Sequence, residues 1–305
     1  MVENKIWLRG KIVLESEATV NILAPTSQFG LNVFEGIRCY WSQDKKSLYV
    51  ISLDEHIDRL FESCKLIGIQ SPYSKEQIID YFKQTVIANN YESDVAVRVT
   101  IFGDGIGSWN NTENFDMFIA PIERQRTDID SLIGKSACIS SWQRINDNIM
   151  PPRAKVGANY IHSRYAYLQA KRDGYDLPIF LGLDGKITES SGACLFIIKN
   201  SKLITPDTTS SILESITRTT IIEFAKSKGI EVEERKVDRT ELYLADEIFL
   251  AGTAAEITPI TSVDQFNIND NKIGKMTYEL YKEYLNFVSG ANKVFKHYLT
   301  KIVER

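Results

Sequence analysis

Between Asp94 and Phe102 the chain alternates without interruption. Val95, Val97, Val99 and Ile101 fall on one side, and Ala96, Arg98, Thr100 and Phe102 on the other. Successive side chains of a strand point to opposite faces, so this stretch reads as a strand with one apolar face. Arg98 leaves that face and shares its own with small groups, a setting for an exposed arginine or for an anion contact. The run Gly103-Asp104-Gly105-Ile106-Gly107-Ser108 follows and reads as a lid or a long turn.

The rest of the chain supplies hairpins and separate helices. Residues 5–15 alternate around Gly10, with Trp7 and Ile12 on apolar faces. Val33 to Tyr40 reads as a strand carrying Gly36, and a glycine inside a strand marks close approach by a ligand or another backbone. Leu48 to Leu53 is a further strand. Asp54 then caps a helix bearing Ile57, Leu60, Phe61, Cys64 and Ile67. Ser74 and Gln77 form a capping-box pair before Ile78, Ile79, Phe82, Val86 and Ile87. Ala137 to Trp142 is a strand. Asp184-Gly185 joins 178–183 to 186–189 in a hairpin, and Asn200-Ser201 joins 194–198 to 202–204. Ser215 caps a helix that ends at Gly229. Strands are expected at Val232–Val237 and Asp246–Ala251, and helices over 272–288 and 292–302. Hairpins beside segregated helices argue an α+β fold rather than a doubly wound one. Near Glu123-Arg124-Gln125-Arg126 the apolar pattern lapses into charge. That suggests a linker at 123–130 between a domain at 1–122 and another at 131–305.

Several classes are excluded. The net charge of −4 offers no basic patch for nucleic acid. No apolar run is long enough to span a membrane, and Met1-Val2-Glu3-Asn4-Lys5 lacks a signal-peptide core. Cys39, Cys64, Cys138 and Cys194 lie far apart and read as free thiols in a reducing, cytoplasmic setting. His56, His162 and His297 have no metal-ligand spacing, so neither a metal site nor a Ser-His-Asp hydrolase is expected.

One lysine then stands out. Pro151 and Pro152 oppose helix ahead of Lys155, and Gly157 and Ala158 leave room for a bulky group at the backbone. A helical pattern follows at once, with Ile161, Tyr165 and Leu168 on one face and Gly174 as its stop. A lysine among apolar groups at the mouth of a helix loses its proton readily and can form a Schiff base with a carbonyl. Alone, the segment fits a solvated loop lysine better. Glu189 ends a hairpin strand before Ser190-Ser191-Gly192-Ala193. Ser215-Ile216-Thr217-Arg218 offers backbone N–H groups to an anion, and Gly252-Thr253-Ala254-Ala255-Glu256 is a second anion-suited turn. Singly these are a strand end, a helix cap and a turn. Together with the lysine they match the needs of pyridoxal phosphate: an amine for its aldehyde, an acid for its ring nitrogen and a cradle for its phosphate.

With these residues the chain resembles the class IV, fold-type IV aminotransferases, most of all the branched-chain amino acid aminotransferases. The matching pieces are Val33-Phe34-Glu35-Gly36-Ile37-Arg38-Cys39-Tyr40, His56-Ile57-Asp58-Arg59-Leu60, Lys155-Val156-Gly157-Ala158-Asn159-Tyr160, Ile216-Thr217-Arg218, Tyr243-Leu244-Ala245-Asp246-Glu247 and Gly252-Thr253-Ala254-Ala255-Glu256-Ile257-Thr258-Pro259. They run in order along nearly the whole chain. The resemblance implies a two-domain fold of the D-amino acid aminotransferase type, with a smaller N-terminal α/β domain and a larger cofactor-binding one. It implies that Lys155 bonds the cofactor and shuttles the substrate's α-proton. Tyr160 would bond the ring's phenolic oxygen, and Glu189 would keep the ring nitrogen protonated. Arg59, the N–H groups of Ile216 and Thr217, and Thr253 would hold the phosphate. Phe34, Gly36, Arg38, Arg98 and Thr253-Ala254-Ala255 would line the substrate site. It also implies a homodimer, or a multiple of one, whose partner lends a loop; 103–109 is that loop here.

The chain departs from the family pattern at several positions. Cys194 stands for an asparagine, Ser215 for a glycine, Phe29 and Ala96 for tyrosines, and Ile122 for an aromatic residue. The cofactor residues are intact, so the changes bear on the substrate. The implied reaction moves the amino group of a branched-chain or related hydrophobic L-amino acid to 2-oxoglutarate. A D-amino acid or amine transaminase, or an aminodeoxychorismate-type lyase, shares the fold, but Phe34, Gly36, Arg38 and Arg98 favour the branched-chain group. A non-catalytic binding module would need none of Lys155, Tyr160 and Glu189.

Overall fold

The computed structural model describes residues 3–292 and 294–304. Met1 and Val2, part of the N-terminal stretch read for a leader, lie outside the described residues. Two compact units form. One comprises Met1–Arg126, Ala154–Ala158 and Asn286–Arg305; the other comprises Thr127–Arg153 and Asn159–Leu285. No helix among the described residues is long and apolar enough to cross a membrane.

The first unit begins with a hairpin of β1 (Lys5–Leu8) and β2 (Lys11–Leu14), then α1 (Pro25–Phe29), β3 (Asn32–Ser42), β4 (Ser47–Ile51), α2 (Leu53–Leu66), α3 (Lys75–Asn89), β5 (Val95–Gly103) and β6 (Phe115–Glu123). The alternating stretch is β5, central between β3 and β6 and antiparallel to both. Its apolar side, Val95, Val97, Val99 and Ile101, packs in one core with Val33, Ile37, Ile57, Leu60, Ile78 and Phe82. Its other side pairs Arg98 with Gly36 and Ala96 with Arg38. Helix α3 carries the expected Ser74–Gln77 capping box.

Three expectations need correction in this unit. Trp7 is buried, but Ile12 is 38% exposed, because β2 is the edge of the sheet. The strand read as 48–53 stops at Ile51, and α2 starts at Leu53 with Ser52 as its N-cap instead of Asp54. Leu53 is buried in the core, which draws the helix start forward and leaves Asp54 and Glu55 in the first turn, where the helix dipole favours acids. Strand β6 had no sequence signal because Pro121 interrupts it. The proline is tolerated because β1 pairs with β6 only at Ile119 and Phe118.

The second unit contains β7 (Lys135–Ile139), α4 (Asn159–Arg172), β8 (Leu177–Leu181), β9 (Ile187–Ser190), β10 (Cys194–Lys199), β11 (Lys202–Thr205), α5 (Ile216–Ser227), β12 (Val232–Glu234), α6 (Arg239–Tyr243), β13 (Glu247–Gly252), β14 (Glu256–Val263), β15 (Phe266–Asn267) and all but the last three residues of α7 (Lys275–Val288). The strand order is β12-β11-β10-β13-β14-β7-β8-β9, with β15 on β14. Strand β9 pairs back onto β10 at Glu189 and Cys194, so the sheet closes on itself. Asn200 and Ser201 both take left-handed backbone (φ 50° and 62°), the signature of a tight two-residue hairpin turn. The strands expected at 137–142 and 232–237 are shorter, ending at Ile139 and Glu234.

Helix α4 turns its apolar stripe outward. Ile161, Tyr165 and Leu168 share a face, but that face is 57%, 52% and 39% exposed; Ser163, Ala166 and Ala170 are buried instead. Periodicity gives the stripe, not its direction, and a small-residue face lets a helix lie close to its neighbour. The helix expected over 292–302 is also replaced. Lys293 lies outside the described residues, and Leu299–Glu304 form β16, antiparallel to β4 at the edge of the first unit's sheet. Short apolar runs do not distinguish strand from helix, and the edge of β4 offers backbone partners. That sheet then runs β16-β4-β3-β5-β6-β1-β2.

The segment 154–158 is a strap laid on the first unit. Ala154 and Val156 belong to its core. Val156 bridges to Val33, the Phe34 N–H donates to the Lys155 carbonyl (3.0 Å), and the Gly157 N–H donates to the Asn32 carbonyl (3.3 Å). The Lys155 N–H donates to Ser63 Oγ at 3.0 Å. A Cβ on Gly157 would fall 2.4 Å from Asn32 Oδ1, whereas one on Gly192 would meet nothing within 4 Å. Gly157→Ala should therefore cost roughly 1–3 kcal/mol of stability by overpacking, and Gly192→Ala much less. Denaturant melts of the two variants would check this; equal losses would contradict it.

Candidate active site

The strap decides where the lysine points. Its neighbours Ala154 and Val156 are buried, so the Lys155 side chain leaves on the opposite side. Lys155 Nζ lies over the Phe34 ring, 5.0 Å from its centroid, and the Arg98 guanidinium lies 4.0 Å from the same centroid. Two cations on one ring form a region suited to an anion. Gly36 sits in register with Arg98, and a Cβ there would meet nothing within 4 Å. Arg38 is on the same strand face but buried. It lies over the Tyr40 ring and donates to the Arg124 carbonyl at 2.9 Å.

Arg59 is fixed by a carboxylate. Its Nε and Nη2 donate to Glu35 at 2.7 and 2.9 Å, and His56 Nδ1 lies 2.7 Å from the same carboxylate. Glu35 is fully buried. Burial alone would raise its pKa; Arg59 and His56 overcome that and hold the carboxyl well below its usual range. Burial lowers the pKa of His56 against the pull of Glu35, so the imidazole is neutral near neutral pH and its Nδ1–H donates.

In the second unit, Glu189, Cys194 and Ala251 sit side by side across β9, β10 and β13. Glu189 is buried, pairs with Arg144 Nη2 at 2.5 Å and accepts the Leu213 N–H at 3.2 Å. The loop through Leu213 leads straight into α5. Ser215 Oγ accepts the Arg218 N–H at 3.2 Å, which caps the helix. Ile216 and Thr217 form the first turn of α5, where backbone N–H groups favour negative charge. Thr253, Ala254 and Ala255 form the tip of the β13–β14 hairpin. Its Gly252 is packed so closely that a Cβ would come 3.3 Å from the Gly192 carbonyl oxygen. Tyr160 is 37% exposed in the first turn of α4, and the Ser191 hydroxyl ties that helix to the β9–β10 turn through the Ser163 carbonyl at 3.1 Å.

Thus the first unit assembles Lys155, Phe34, Gly36, Arg98 and Arg59, and the second assembles Glu189, Ile216, Thr217 and Thr253. A buried acid beside a helix N-terminus fits the ring nitrogen and phosphate of pyridoxal phosphate. Sequence reasoning missed Glu35, Ser63 and Arg144. His56 and Arg59, three apart on one helix, could have pointed to a buried acid on the strand they face. Arg144 lies in an irregular stretch with no pattern to expose it.

The chain is a pyridoxal-phosphate-dependent aminotransferase. It belongs to the class IV aminotransferases: residues 32–263 match the sequence profile described as amino-transferase class IV. It is 36% identical over 301 residues to the probable branched-chain-amino-acid aminotransferase of Aquifex aeolicus (strain VF5), covering 98% of this chain and 97% of that protein. Among solved structures it resembles the branched-chain amino acid aminotransferase of Thermobaculum terrenum in its holo form (TM-score 0.94, 38% identity, 99% of each chain). It also resembles the T.th. branched-chain amino acid aminotransferase complexed with N-(5'-phosphopyridoxyl)-L-glutamate (TM-score 0.92, 31% identity, 99% of this chain and 100% of that one).

Glu35→Gln should cost roughly 3 kcal/mol at neutral pH, because it leaves the buried guanidinium of Arg59 uncompensated. A carboxyl with a depressed folded pKa contributes its full stability above the unfolded value and loses it progressively as the pH falls from there toward the depressed folded value. The gap between wild type and variant should hold from about pH 8 to about pH 5 and then narrow steadily as the pH falls below about 4.3. Thermal melts across this range test it; a gap that widens on acidification would contradict it.

Proposed function

We propose that this enzyme moves the amino group of a branched-chain or related hydrophobic L-amino acid to 2-oxoglutarate, giving the 2-oxo acid and L-glutamate. The observation that carries the reading is the pair of cations over Phe34, Lys155 Nζ at 5.0 Å and Arg98 at 4.0 Å, beside the open position above Gly36. Lys155 would supply the amine that holds the cofactor, and Arg98 the grip on the carboxylate of an acidic acceptor. The names of the Aquifex and Thermobaculum proteins and the glutamate adduct in the T.th. enzyme agree with this pairing.

Pyridoxal phosphate, when bound, supplies a carbonyl that accepts the amino group and a ring that accepts electrons from the substrate's α-carbon. Lys155 would hold the cofactor, and its Nζ would move the proton at the substrate's α-carbon. Tyr160 would donate to the ring's phenolic oxygen. Glu189, oriented by its pair with Arg144, would hold a proton on the ring nitrogen. Arg59, the N–H groups of Ile216 and Thr217, and Thr253 would bind the phosphate. Phe34, Gly36 and the turn Thr253-Ala254-Ala255 would orient the substrate, and Arg38, buried against Tyr40 and the Arg124 carbonyl, would support that strand face from within.

The active form in this reading is a homodimer or a multiple of one, working in the cytoplasm. The stacked, exposed pair Trp142 and Tyr165, with Ile161 and Leu168 beside them, supports it, as do Ile106 and Trp109, 74% and 70% exposed.

Donor choice follows from small residues on the substrate face. Ala96 pairs with Arg38 and with Ile122, and Ile122 and Phe29 are exposed. An apolar pocket separates donors by only about 1–3 kcal/mol per methylene, so a roomier one discriminates weakly against larger chains. Leucine, methionine or aromatic donors should rival or exceed valine. Arg98→Ala should damage 2-oxoglutarate use more than hydrophobic donor use, and Lys155→Ala should abolish turnover. The check is kcat/KM across L-valine, L-leucine, L-methionine, L-phenylalanine, L-glutamate and their D-forms. A sharp preference for valine and isoleucine would refute the argument from Ala96, and D-selective turnover would refute the reaction.

A further inference from the structure

Glu256 follows directly after Thr253-Ala254-Ala255, and no step above uses it. It is a buried acid, 3% exposed, in left-handed backbone with φ 52°. Glycine takes that conformation freely and glutamate does not. Its Oε2 accepts the Thr127 N–H at 3.0 Å and lies 3.3 Å from the Tyr281 hydroxyl. That hydroxyl in turn donates to the Thr127 carbonyl at 2.5 Å. Burial, with the nearby Glu256 carboxylate, pushes the Tyr281 phenol well above its usual range, so the proton stays on it. Both backbone groups of Thr127 are therefore held, one by the acid and one by the phenol.

The rest of the hairpin tip is fixed as well. Gly252 pairs with Glu256 across it and packs against Gly192, and Thr258 Oγ1 donates to the Ala255 carbonyl at 2.9 Å. An exposed, relaxed turn would close this hairpin equally well. The chain instead carries a strained backbone and a buried carboxyl group next to the residues assigned to phosphate and substrate. Both are costly features that persist where a conformation has to be imposed.

We propose that Glu256 is a positioning residue: its carboxylate, clamped on the Thr127 N–H and backed by Tyr281, holds Thr253-Ala254-Ala255 in the conformation that receives the substrate. This rests on the reading of that turn as part of the substrate site.

The test pairs hydrogen exchange of the 252–258 peptide with steady-state kinetics of the holoenzyme. Glu256→Gln keeps an acceptor for the Thr127 N–H and should keep most of the exchange protection. Glu256→Ala and Glu256→Gly remove it. In both, exchange at 253–255 and the KM for amino acid and 2-oxo acid should rise by about tenfold or more, the equivalent of one charge-assisted hydrogen bond, with kcat changed far less. Glycine relieves the strain at φ 52°, so Glu256→Gly reports on the clamp even where the alanine variant fails to fold. Tyr281→Phe should move both readouts the same way by less. Wild-type exchange in Glu256→Gly overturns the proposal, and so does faster exchange with unchanged KM. A wild type without turnover would sink the aminotransferase reading instead, and the exchange arm would still decide the clamp.

Discussion

The pairing of residues 155–157 with the start of β3 is the constraint on which the rest of the site depends. Two backbone hydrogen bonds and a bridge at Val33 fix the strap's register. Side chains alternate across such a segment, so burying Ala154 and Val156 sends Lys155 the other way, over Phe34. A slip of one residue would turn the amine into the apolar core and leave a valine over Phe34 in its place. Ser63, from α2, removes the remaining freedom by accepting the lysine's own N–H.

The two units handle buried charge in mirror-image ways. In the first, an acid outside the chemistry, Glu35, orients a cation expected to meet phosphate, Arg59. In the second, a cation outside the chemistry, Arg144, orients the acid expected to meet the ring nitrogen, Glu189. Each pair bears a desolvation cost that only close geometry offsets. What results is a guanidinium and a carboxylate that do not wander, which an active site needs more than it needs net stability.

Much of this was legible in the sequence for identifiable reasons. The alternation of β5, the Ser74 capping box and the Asn200-Ser201 turn are local signals, and each lies where its chemistry put it. The class IV resemblance was legible because its motifs are short, ordered and spread over the chain. What escaped depends on contacts far apart in sequence. Strand β16 exists because β4 has a free edge, and no property of residues 299–304 alone states that. The exposed stripe of α4 needed knowledge of which face packs inward. Glu35, Arg144 and Glu256 are ordinary residues in the sequence and become meaningful only beside Arg59, Glu189 and Thr127.

The central claim is that the strap delivers one particular amine to the cofactor. Incubation of the protein with pyridoxal 5'-phosphate, reduction with borohydride and mass mapping of the peptides measures this directly. The account predicts a single phosphopyridoxyl group, carried on Lys155, with loss of the protein's yellow absorbance on reduction. Label on a different lysine, or spread over surface lysines with Lys155 unmodified, would contradict it.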